Sequence, residues 1–130
     1  MVTAPEEMPV NETIELVERA REELTVPLGV VIVNRVLPEL FTHADEDVFD
    51  ALREPAATDV LTRAAGPGAL AVLDGARLAV SMRRGRSAHL SRLREEVDLP
   101  LLLLPYLFVR DHGLRVTRMV AEALGQELGY

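Results

Sequence analysis

The chain has 130 residues, 48% apolar and 27% charged, with 14 basic residues against 21 acidic ones for a net charge of −7. That is the size and balance of one small globular domain. The acidic excess argues against bulk attraction to nucleic acid or anionic lipid, the lack of cysteine excludes disulfides and thiolate metal sites, and no apolar run approaches the roughly 20 residues of a membrane span. Residues 1–12 are acidic and broken by proline rather than basic and then apolar, so no secretory leader is expected and a cytoplasmic location is.

The start, Met1-Val2-Thr3-Ala4-Pro5, reads as the end of a strand running into a loop. Asn11 is placed as an N-cap, with a one-faced helix over residues 12–24 carried by Ile14, Val17, Ala20 and Leu24. Leu28-Gly29-Val30-Val31-Ile32-Val33 is a run that is apolar on both faces, the pattern of a strand covered on both sides in a parallel sheet. Short helices are predicted at 45–53 and 56–64, then a break at Gly66-Pro67-Gly68 and a long helix over 69–97 with an interruption near Gly85. Leu78, Val80 and Met82 read as core. Leu101-Leu102-Leu103-Leu104, bounded by Pro100 and Pro105, predicts a second buried strand. A closing helix runs from Gly113 to Leu128, with Leu114, Thr117, Val120, Ala121 and Leu124 on its inner face. The order of strand, helix, strand, helices, strand, helix is the α/β pattern.

All 14 basic residues are arginine. A P-loop needs a lysine that reaches the β- and γ-phosphates, so this chain cannot build one. Six arginines and no acid lie between Arg77 and Arg94, while residues 39–54 hold six acids and one arginine. An internally paired helical face is expected there rather than a nucleic-acid site. His43, His89 and His112 have no ligand-like spacing, and Ser81, Ser87 and Ser91 lack a nucleophile-elbow context.

Two stretches carry a resemblance. Val2-Thr3-Ala4-Pro5-Glu6-Glu7-Met8-Pro9-Val10-Asn11-Glu12-Thr13 precedes Val30-Val31-Ile32-Val33-Asn34-Arg35-Val36, and Leu99-Pro100 through Pro105-Tyr106-Leu107 precedes Gly113-Leu114. Together they resemble the carboxy-terminal part of the ArsA-type ATPases, which include the arsenical-pump ATPase and the ATPase that targets tail-anchored membrane proteins. The resemblance implies that residues 1–130 are one partial domain from the end of a P-loop NTPase sheet with helices on both faces, incomplete on its own. Residues 42–70 form a helical insertion that matches weakly. It implies that Asn34 contacts adenine, that Pro105, Tyr106 and Leu107 cover the base, and that Glu6 lies near the nucleotide or a dimer interface. ATP and Mg are the implied cofactors of the intact protein, with the Mg ligands outside this chain.

The implied partners are a P-loop half or a separate P-loop subunit, in a homodimer or paired ATPase, with an anion or a membrane-protein client as cargo. On this reading the start at Met1 cuts into a strand. Asn34 also reads as a turn-forming residue bonding local backbone, and Tyr106 as plain core packing. The segment Arg110-Asp111-His112-Gly113 departs from the family pattern, which has Glu and Arg there. Without cysteine, neither zinc-linked dimerisation nor thiolate binding of arsenite is available. The alternative to a nucleotide-binding half is a non-catalytic α/β module that docks on a separate P-loop subunit.

Overall fold

A computed structural model describes residues 1–25, 27–110 and 113–130. Asp111 and His112, where the family pattern is departed from, lie outside the described residues. In chain order the elements are β1 (Val2–Thr3), α1 (Glu7–Glu23), β2 (Val31–Val36), α2 (His43–Ala51), α3 (Pro55–Ala65), α4 (Ala69–Glu96), β3 (Leu101–Pro105) and α5 (Leu114–Glu127). The fold is α/β. The chain divides into two compact units, one of residues 1–38 and 86–130 and one of residues 39–85.

The first unit is built on a parallel three-stranded sheet in the order β1-β2-β3. Val31 and Val33 of β2 are completely buried. They pack with Val10, Ile14 and Val17 of α1 and with Leu90 and Leu93 of α4. The spacing of 10, 14 and 17 is one helical face, and the two strand residues share one side of the pleat. α5 packs on β3 on the alternate side, where Val120 and Ala123 line a pocket together with Leu104.

α1 begins at Glu7, five residues before the expected start, with Glu6 in extended conformation at the N-cap. A proline in the first helical turn lacks only an N–H that the helix could not have used, so Pro9 does not delay the start. Its carbonyl accepts from both Thr3 Oγ1 at 3.1 Å and Thr13 Oγ1 at 2.7 Å, which satisfies the two buried threonines of the unit. Asn11, expected as the cap, lies inside the helix and accepts from Arg92. Leu24 falls beyond the helix end and is exposed.

β2 runs from Val31 to Val36 rather than over 28–33. The ladder decides this: Val31 N–H bonds Pro100 O and Ile32 N–H bonds Met1 O, and the paired register with β3 begins at Val31. In α5 the covered face is Val116, Met119, Val120, Ala123 and Leu124. This i, i+3, i+4, i+7, i+8 set is rotated from the expected one, and it leaves Leu114 70% exposed.

The second unit holds α2, α3 and the first part of α4. α2 opens with a capping box in which Thr42 and Asp45 exchange hydrogen bonds. Pro55 opens α3, and Gly66 ends it with φ 84°. α4 runs through Gly85 without the expected interruption; a helical glycine weakens a helix but does not stop it. Phe41 and Phe49 meet edge to face at 5.0 Å. Acids of 39–54 pair with three arginines of α4: Arg77 with Asp50 at 3.3 Å, Arg83 with Glu39 at 3.0 Å, and Arg84 with Glu46. Of the three residues expected in the core, Leu78 and Met82 are exposed and Val80 is half-buried, while Leu73 is buried.

Candidate functional site

Parallel strands end on one edge of the sheet, and ligands of open α/β sheets bind beyond those carboxyl ends. At that edge Asn34 and Arg35 lie in the last stretch of β2 before Val36, and Pro105, Tyr106 and Leu107 lead out of β3. Together with Leu104, Val109 and three α5 side chains (Val116, Val120 and Ala123) they enclose a pocket of 270 Å³. The floor is apolar and supplied by α5 and Leu104. The polar groups lie at the strand ends.

Local backbone geometry shapes this edge. Val33 pairs with Leu103 and Val36 with Pro105, so Asn34 and Arg35 together stand opposite the single residue Leu104. Two residues against one is a β-bulge. Arg35 has φ 62°, the left-handed region, which costs a residue with a Cβ about 1–2 kcal/mol. A regular strand would send consecutive side chains to opposite faces, yet here both Asn34 and Arg35 line the pocket. Beyond the bulge, Tyr106 N–H bonds Val36 O at 2.8 Å, which holds the two strand ends together.

Asn34 Oδ1 accepts the backbone N–H of Arg35 at 2.8 Å. That bond is the local backbone interaction of a turn-forming asparagine, and it also fixes the plane of the amide. It engages one lone pair of Oδ1; a carboxamide has a second lone pair and two N–H donors. The Arg35 guanidinium lies 5.9 Å from the centre of the Tyr106 ring, within cation–π range. Tyr106 in turn packs against Phe108, ring centres 4.8 Å apart.

The structure therefore brings Asn34, Pro105, Tyr106 and Leu107 to one pocket and leaves Glu6 off its lining. Glu6 stands after β1 and binds Arg86 at 3.1 Å. Arg35 is the charged pocket residue that sequence reasoning did not single out, along with the apolar lining from Leu104, Val109 and α5. Its position depends on the bulge, which no residue pattern announces. Among the described residues no group of three or more His, Cys, Asp or Glu is placed to hold a metal ion, and no helix is long and apolar enough to cross a membrane. No protein-family model matches the chain, and no curated protein sequence matches it at a significant level.

Proposed function

We propose that this chain supplies the adenine-binding side of an ArsA-like ATPase, whose phosphate-binding loop and Mg ligands are carried by a different stretch of sequence or by a separate subunit. The observation that carries the reading is the convergence of an amide, Asn34, and an aromatic ring, Tyr106, on one base-sized pocket at the carboxyl edge of a parallel sheet. An amide can pair with the N6 donor and ring-nitrogen acceptor of adenine, as Asn does with adenine edges in nucleic acids. An aromatic ring offers a face to any base. The apolar side chains of α5 offer the base a packing surface, and the open side leaves the phosphates to a partner P-loop.

In this reading the chain is not a hydrolase alone, since it has no lysine to serve the β- and γ-phosphates. The intact, cytoplasmic assembly is a homodimer or paired ATPase that couples Mg-ATP hydrolysis to movement of an anion or a membrane-protein client. A second reading, a non-catalytic module that docks on a P-loop subunit, draws on the open outer edge of β1, where Val2 is 69% exposed.

Titration of the chain with adenosine, ATP and inosine, followed by amide NMR, tests the proposal. Resonances of Asn34, Tyr106 and α5 should move with adenosine and ATP. Inosine, with a carbonyl in place of the exocyclic amine, should bind more weakly. Asn34→Ala should weaken adenosine about tenfold, the worth of one hydrogen bond in a dry site. Resonances that stay fixed with all three ligands would sink the adenine reading and leave the docking module.

A further inference from the structure

We infer that Arg35 is a base-binding residue of the pocket: its guanidinium, which lies over the Tyr106 ring, stacks on the face of the bound base. The inference rests on the adenine reading of the same pocket.

Three observations carry it. Arg35 occupies a left-handed backbone position, φ 62°, where glycine or asparagine is the relaxed choice. A long side chain is held there against local preference, and such strain gathers at ligand sites. The bulge that creates the strain also turns Arg35 to the same side as Asn34, so the two reach the pocket from adjacent positions. Finally, the guanidinium already lies 5.9 Å from the centre of an aromatic ring. A planar, weakly hydrated cation transfers from one π-face to another at small desolvation cost. The Arg35 side chain is exposed and is free to make that move. Asn34 then reads the edge of the base while Arg35 and Tyr106 hold its faces.

The alternative contact for an arginine beside a nucleotide is phosphate, and the two contacts separate by experiment. Arg35→Gly and Arg35→Asn both suit the left-handed backbone, and each is compared with the unchanged chain for urea stability and for affinity toward adenosine and ATP. We expect both variants to be at least as stable as the parent. Adenosine and ATP should each weaken by the same factor, about two- to fivefold, because a cation–π contact at an exposed site is worth that much. Arg35→Lys, which keeps the charge and loses the plane, should fall with them.

Affinity unchanged in the folded variants would overturn the inference while leaving the pocket reading intact. A loss confined to ATP would overturn it in favour of a phosphate contact. A fall in stability of both variants would show that the arginine is kept for its packing on Tyr106 rather than for a ligand. Failure of the unchanged chain to bind either adenosine or ATP would remove the pocket reading and this inference with it.

Discussion

The carboxylate of Glu127 accepts the backbone N–H of Leu103 at 2.7 Å. β3 is the last strand in the sheet order, so its outer edge carries N–H groups with no strand to receive them. The end of α5 thus returns to seal a point on an open edge, where unpaired backbone invites pairing with other chains. Glu127→Ala should lower stability by about 1 kcal/mol in urea unfolding and increase self-association in sedimentation. Glu127→Gln keeps an acceptor and should fall between the two. Equal behaviour of all three chains would show that water serves Leu103 as well as Glu127 does.

Leu93 is completely buried and belongs to the cluster formed by Val10, Val17, Val31 and Val33. It joins α4 to the same core as α1 and β2. Leu93→Ala removes buried methylene surface and leaves a cavity, so the loss should be about 2–5 kcal/mol. Thermal unfolding of the variant gives the value. A change of about 0.5 kcal/mol, the size of a surface substitution, would mean that α4 does not pack on the sheet in solution.

Gly66 ends α3 at φ 84° and ψ 172°, a region that is essentially glycine-only. A Cβ there would meet no neighbour within 4 Å, so the cost of Gly66→Ala is backbone strain alone, about 1–3 kcal/mol. Gly68 has equal space and no positive φ, which makes Gly68→Ala the control. It should be neutral or slightly stabilising, because alanine restricts the unfolded chain.

Asp45 sits in the capping box of α2, and the backbone N–H of Thr42, followed by the Thr42 hydroxyl, holds its carboxyl below the usual carboxylate range. A depressed native pKa stabilises the charged form, so its contribution is complete above the ordinary carboxylate pKa. It is lost as pH falls through the lower native value. The amide and Cβ shifts of residues 42–46 should therefore report fraying of the α2 start only in acid, below the ordinary range. In Thr42→Ala the Asp45 titration should move up toward the ordinary value. An unmoved titration would show that the box does not form in solution.

Much of the architecture was legible in residue patterns. Leucines bounded by Pro100 and Pro105 declared β3, and Gly66-Pro67-Gly68 declared the break between two helices, because glycine and proline act on φ, ψ and N–H donors wherever the chain goes. The opposed charges of residues 39–54 and 77–94 announced their own pairing. Asn34, Pro105, Tyr106 and Leu107 could be singled out as residues at strand ends. What depended on long-range partners stayed hidden. The start of β2 at Val31 was set by hydrogen bonds to Met1 and Pro100, partners distant in sequence and adjacent only through the fold. The rotation of α5 was decided by how the helix packs on β3, a partner that its own residue pattern does not contain. The bulge that gives the pocket Arg35 exists only because Val33 and Val36 pair with residues two apart in β3. Local stereochemistry is written residue by residue, whereas register is a property of two strands together, and the pocket is a product of register.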